Sequence, residues 1–178
     1  MTVPNFQLKL SGNTAVFIDW ANVYGWSKSL NQPVSPQKLF NYLKAYNQVQ
    51  KITFYFGTDR NKKSQNFIKQ VIKIGYKVVT KPVKYILISE IKSKKLYRRK
   101  CDFDMEICID VHKYLEKNFE SFIFFSGDGD FEPLYKLLIY KQKQVIVIYA
   151  PGHLGREIYA IKKGLYKKAV NTLTKEVF

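Results

Sequence analysis

Four short apolar runs constrain this chain more than any other feature: TAVFID at 14–19, KITFYFG at 51–57, SFIFFSG at 121–127 and VIVIYA at 145–150. Each is continuous rather than alternating, the pattern of a strand buried on both faces. A further run, YKVVT at 76–80, reads as another strand. Between them the periodicity changes to that of helices. After Pro36 apolar residues recur at Leu39, Phe40, Leu43 and Tyr46, with Ser35 as N-cap and Pro36 in the first helical position. Phe67, Ile68, Val71 and Ile72 form a second such stretch, which Gly75 suits as a terminator. Ile107, Val111, Tyr114 and Leu115 mark a helix after Phe103, and residues 131–141 another. The tail from Leu154 to Phe178 is expected to be helical in part, with Val170 near a last short strand or turn.

Strand and helix in alternation predict an α/β fold with a mostly parallel sheet and helices on both faces, because parallel neighbours need a crossover. At 178 residues, with no repeat and no linker-like stretch, one domain spanning 1–178 is expected, its core at about 14–165. Apolar content of 46% excludes global disorder. No apolar run approaches the roughly 18 residues needed to cross a membrane, and the N-terminus lacks a basic then apolar leader. Cys101 and Cys108 imply neither a disulfide framework nor a C-x-x-C metal site, which fits a reducing, cytoplasmic setting. Oligomeric state is not specified, and a homodimer stays open.

Charge is distributed unevenly. Thirty Lys and Arg against fourteen acids give a net charge of +16, which favours a polyanionic partner or reflects a lysine-rich surface. The acids are concentrated: Asp19 in VFIDWAN, Asp104 and Asp110 in CDFDMEICID, and Asp128, Asp130 and Glu132 in FFSGDGDFE. Asp19 and the Asp128/Asp130 pair follow predicted strands, and ligands of such sheets bind at the strands' carboxyl ends. A lone Asp in that position is commonly a helix cap or turn residue. Asp128 and Asp130, however, lie in a turn where Gly127 and Gly129 would let both carboxylates aim at one point, and two like charges so placed need a cation or a raised pKa. Asp104 opens a predicted helix, where a carboxylate also favours the helix dipole. Asp110, about 600° of rotation further on, faces elsewhere and suits packing or support.

An all-carboxylate set matches Mg²⁺ or Mn²⁺, which take oxygen ligands and keep several waters. Zinc would want clustered His and Cys, and His112 and His153 read as surface or packing residues. Metal-assisted hydrolysis of a phosphodiester is the chemistry such a site implies. SGDGDF lacks the G-x-G-x-x-G pattern and the P-loop Lys of nucleotide-binding loops. Ala21 stands where a dehalogenase-type phosphotransferase would carry its second Asp, and neither a G-x-S-x-G motif nor a Cys–His pairing recommends covalent catalysis.

The segments FIDWANVY, KCDFDMEICIDV and FFSGDGDFEPLYKLL, followed by KQKQVIVIYAPG, resemble the NYN domain family, the LabA-like branch of the PIN-like nuclease superfamily. Three ordered motifs carry the resemblance, which covers about residues 14–165. It implies a three-layer α/β/α sandwich and an acidic, Mg²⁺- or Mn²⁺-binding pocket that cleaves RNA. By that likeness Asp19, Asp104, Asp128 and Asp130 would carry the metal, with Asn22 as the polar residue beside Asp19 and Ser126 orienting the pocket. Cys101 and Asp102 stand where the family often has Gly and Asn, and Trp20 follows the first Asp.

The segment from Lys81 to Lys100 breaks the alternation and reads as a basic hairpin or loop. Lys92, Lys94, Lys95, Arg98, Arg99 and Lys100 form either a solvated face or an RNA-gripping arm just ahead of Asp104. Lys62 and Lys63 could extend the same track, and Tyr85 and Tyr97 are either core or stacking platforms for unpaired bases. The residues together predict a metal-dependent endoribonuclease acting on single-stranded or structured RNA. The competing expectation is a non-catalytic RNA-binding regulator that keeps only the fold and the charge.

Overall fold

The computed structural model describes residues 8–91, 94–173 and 177–178. The first strand, β1 (Thr14–Asp19), leads directly into α1 (Trp20–Gly25), α2 (Ser27–Leu30) and α3 (Pro36–Lys44). The chain continues as β2 (Val49–Thr58), α4 (Lys62–Ile74) and β3 (Lys77–Pro82). A two-stranded excursion follows, β4 (Lys84–Ile91) and β5 (Lys94–Lys100), before α5 (Asp104–Glu116). The second half comprises β6 (Ser121–Phe125), α6 (Glu132–Tyr140), β7 (Gln144–Tyr149), α7 (Arg156–Ala160) and β8 (Leu165–Ala169).

The central sheet has the order β3-β2-β1-β6-β7-β8, and every pairing in it is parallel. Its apolar runs are continuous because consecutive residues serve opposite layers. Val16 and Ile18 of β1, with Ile123, Phe125, Ile146 and Ile148, pack with residues of α1, α3 and α4. Ala15 and Phe17, with Phe122, Phe124, Val145 and Val147, pack with residues of α5, α6 and α7. The strand order runs outward from β1 in one half and outward from β6 in the other. Right-handed crossovers therefore deposit the two sets of helices on opposite faces, which yields the three-layer sandwich.

The elements follow from local chemistry where the sequence signals are strong. Ser35 caps α3 by accepting from Lys38 N, and Pro36 opens that helix. Gly75, at φ +115°, closes α4 in a conformation that a side chain would strain. Helices α1 and α2, six and four residues long, carry no readable periodicity. Trp20, the first residue of α1, is buried against Phe54 and Phe67 with ring centroids 4.8 and 5.7 Å away, so it belongs to the core rather than to a substrate-facing surface. The tail supplies a sixth parallel strand, β8, with Val170 in the 3-10 turn that follows it.

The basic segment forms an antiparallel hairpin, β4 with β5, that is separate from the main sheet. Its described side chains are almost all exposed, including Tyr85, Ile86, Leu87, Leu96 and Tyr97, so the two tyrosines are not core residues. Asp59, just beyond β2, anchors its base by accepting from the Tyr85 hydroxyl and pairing with Arg99 at 3.3 Å. No helix among the described residues is long and apolar enough to cross a membrane.

Candidate active site

The strand order reverses direction between β1 and β6, and the crevice beyond the carboxyl ends of those two strands is where doubly wound sheets place ligands. Asp19 ends β1 and Asp128 lies three residues beyond the end of β6. Asp104 opens α5 on the face below, and Asp130 sits on the exposed rim in the 3-10 turn after Asp128. Electrostatically these side chains form one group. Burial, then the charges of Asp128 and Asp104, raises the Asp19 carboxyl to about 6 against the lowering effect of the Asn22 and Ala21 amides. Burial, followed by Asp128, Asp102 and Asp130, also raises Asp104, with Lys81 acting in the opposite sense.

Several contacts hold this arrangement. Asp19 accepts from Asn22 N at 3.4 Å and so caps α1 as well as facing the crevice. Asn22 Oδ1 accepts from Trp26 Nε1 at 3.0 Å and from Gly127 N at 3.2 Å, which fastens α1 to the loop after β6. Buried Ser126 accepts from Asp128 N at 3.2 Å, and Asp128 in turn accepts from Asp130 N at 3.1 Å. The glycines of this loop are needed for close approach, not for unusual dihedrals. Neither Gly127 nor Gly129 has positive φ. A Cβ on Gly127 would fall 1.5 Å from His153 O, and one on Gly129 would fall 2.3 Å from Glu157 Oε2. The loops after β6 and β7 are thus pressed together, joined by Gly155 N donating to Gly127 O at 2.7 Å.

Asp110 lies outside this group. It is buried and accepts from the Tyr55 hydroxyl, Lys77 and Lys113, each within about 3 Å. Burial pushes its carboxyl up, but those three hydrogen bonds outweigh it and leave it below the ordinary value. Its support is to the packing of α5 on β2 and β3. Glu132 pairs with Lys136 within α6. His112 Nδ1 lies 2.8 Å from Cys108 O on its own helix, and both cysteines are free thiols.

Three residues near the crevice carried no sequence signal of their own. Lys81, at the end of β3, pairs with Glu106 at 2.8 Å, lies 4.8 Å from the Phe103 ring centroid, and is the cation that acts on Asp104. Glu157 brings a carboxylate against the acidic loop, and Tyr135 places a buried hydroxyl within reach of the Asp128 and Asp19 charges. A surface concavity bordered by Ser11, Glu120 and residues 141–144 lies at the opposite end of the strands and holds no comparable cluster.

Among the described residues, no three His, Cys, Asp or Glu side chains stand together as a ready metal-binding group. The donor chemistry nonetheless fits a hard cation: the groups are carboxylates, they repel one another, and Mg²⁺ commonly takes only one or two protein carboxylates while keeping its waters. Of the basic residues, Lys62 and Lys63 open α4 beside Asp59, while Lys95, Arg98, Arg99 and Lys100 are exposed on β5. Lys94 begins β5, and Lys92 lies outside the described residues.

Comparison with known proteins agrees with this architecture. The cyanobacterial low amplitude and bright protein LabA, from Synechococcus elongatus, is 27% identical over 146 residues, which cover 81% of this chain and 77% of LabA. A Vibrio parahaemolyticus protein of unknown function superposes with a TM-score of 0.70 at 19% identity, covering 96% of this chain and 98% of that one, a likeness of fold alone. The NYN domain model matches residues 13–162, a span that takes in all three acidic motifs, and the chain therefore belongs to the NYN domain family.

Proposed function

We propose that this protein is a metal-dependent endoribonuclease that hydrolyses RNA phosphodiester bonds at the crevice between β1 and β6. The observation that carries the reading is the mutual electrostatic influence of Asp19, Asp104 and Asp128, with Asp130 on the rim, beside the topological switch point of a strongly basic chain. Membership of a PIN-like nuclease family adds to it.

Asp19, Asp104 and Asp128 would hold Mg²⁺ or Mn²⁺, directly or through water, with Asp130 at the mouth. Such an ion supplies an activated water and offsets charge on the scissile phosphate. The remaining work falls to the protein. Asn22 and Ser126 fix the two acidic loops with respect to each other. The β4–β5 hairpin presents Lys95, Arg98 and Lys100 to the RNA backbone, and exposed Tyr85 and Tyr97 offer faces on which unpaired bases can stack. Single-stranded RNA suits such a surface better than a duplex, whose bases are already stacked.

A non-catalytic RNA-binding regulator is the second reading, favoured by the lack of a closed three-residue ligand group among the described residues. Incubation of the purified protein with labelled RNAs and Mn²⁺, beside Asp128→Asn and an EDTA control, separates the two. Cleavage that needs both the metal and Asp128 is the expected result. Binding to RNA with no metal-dependent cleavage of any of several sequences would leave the regulator standing.

A further inference from the structure

Tyr135 lies in α6, in the layer beneath the acidic crevice. It is fully buried, and its ring is held by Phe124 and Phe131 at centroid distances of 4.8 and 6.0 Å. Its neighbours on that face of α6, Leu134 and Leu138, are apolar, and the ring would pack equally well as phenylalanine. The hydroxyl has no hydrogen-bond partner among the described residues. A donor in that position is costly unless something accepts from it. Burial, then the charges of Asp128 and Asp19, holds the phenol well above its usual pKa, so it stays protonated and can donate. Asp128 and Asp19 are the carboxylates whose charges act on it, yet neither accepts a direct hydrogen bond from it.

We propose that Tyr135 is a positioning residue of the acidic crevice, its hydroxyl holding an ordered water against the carboxylates of Asp19 and Asp128. A water there would have the hydroxyl and at least one carboxylate oxygen as partners, enough for a structural site. Its effect would be to select the carboxylate rotamers presented to the cation. The assignment rests on the reading of the crevice as a metal site, in which outer partners of the ligands tune affinity without touching the ion.

The test uses the intact chain and Tyr135→Phe, which removes one oxygen from an apolar slot. Mn²⁺ affinity, followed by the loss of free-ion electron paramagnetic resonance signal, is expected to fall roughly tenfold to a hundredfold in Tyr135→Phe. In parallel, a metal-free urea denaturation cycle pairs Tyr135→Phe with Asp128→Ala. Tyr135→Phe is expected to destabilise the parent and to cost measurably less once Asp128 is gone. Equal Mn²⁺ affinities would overturn the proposal, as would a Tyr135→Phe that is neutral or stabilising, or whose cost is the same in both backgrounds. If the parent itself binds no Mn²⁺, the metal reading of the crevice falls, and the denaturation cycle alone then decides the role of Tyr135. A coupling sustains the bridge, and additivity removes it.

Discussion

Gly127 N donates to Asn22 Oδ1 at 3.2 Å, and through this one acceptor the loop that carries Asp128 is tied to the helix that begins beside Asp19. The same oxygen accepts from buried Trp26, so a single carboxamide sets the distance between two strands' worth of acidic residues. Among the described residues no covalent or ionic link does this, and the contact is short-range and directional.

Asn22→Ala should therefore do two things. It leaves Trp26 Nε1 and Gly127 N without their acceptor, at a cost of about 1–3 kcal/mol in urea denaturation. It also frees the two loops, so RNA cleavage should fall by more than the folded fraction does. Asn22→Asp keeps an acceptor oxygen and should recover much of the stability. It adds a charge to an already repelling group, so cleavage should stay low.

Asp19 sets the pH response of the metal-free protein. Its folded pKa, about 6, lies above the ordinary value of 3.8, so the folded state binds the proton more tightly than the unfolded state does. Stability should consequently fall as pH rises from about 4 to about 6 and then level off. Asp19→Asn keeps the cap and removes the charge, and at pH 7.5 without metal it should be more stable than the parent by on the order of 1–3 kcal/mol. The gain should vanish near pH 4. A parent whose stability is flat across that window, with Asp19→Asn no better at pH 7.5, would contradict the desolvated carboxylate.

Asp110 has the opposite sign. Its folded pKa is depressed, so its contribution is present above about pH 4 and is lost as pH falls through the folded value. Asp110→Ala strands the buried Tyr55 hydroxyl, while Lys77 and Lys113 can turn to solvent, being about half exposed. A loss of roughly 1–3 kcal/mol is expected. The surviving folded protein should cleave RNA as the parent does, because Asp110 faces away from the crevice.

How much of this was legible in the chain depends on what each residue packs against. The main strands were readable because Val16 and Phe17, or Ile123 and Phe124, bury alternate side chains in different layers and so leave an unbroken apolar run. Asp104 could be placed at a helix start, and Asp110 off its face, from helical rotation alone. The β4–β5 segment could be narrowed only to a hairpin or a loop, since neither of its faces is buried and no alternation is imposed. Helices α1 and α2, with six and four residues, are too short to show a period. Lys81, Glu157 and Tyr135 are not legible for a different reason: each reaches the crevice through tertiary approach, and nothing in its neighbours along the chain announces that.

Gly127 gives the sharpest steric prediction. Its missing side chain admits His153 O, which a Cβ would approach to 1.5 Å, and the β6 and β7 loops meet there through Gly155 N. Gly127→Ala cannot be absorbed by a rotamer change, because the obstacle is backbone. The loops must part, which breaks the Asn22 and Gly155 contacts together. Loss of cleavage should accompany a drop in thermal midpoint, whereas Gly25→Ala, with open space around its Cβ, should leave both nearly unchanged.

The basic hairpin makes its prediction through salt rather than through rate. Lys95, Arg98 and Lys100 are exposed; Lys100 pairs with Asp102 at 3.4 Å, and Lys95 stands opposite Glu90 in the hairpin register. Arg99 is partly committed to Asp59. If the first three contact phosphates, each neutralisation lowers the slope of log K against log salt by about 0.7 for a single strand. Replacing all three with alanine should weaken RNA binding at low salt and flatten that slope by about 2, while leaving the fold intact because the side chains bury nothing. Lys62→Ala with Lys63→Ala should act in the same sense if the track continues along the start of α4. A triple variant that binds RNA with the parent's slope would show that the hairpin stands clear of the nucleic acid, and its exposed tyrosines would then have to serve something other than RNA.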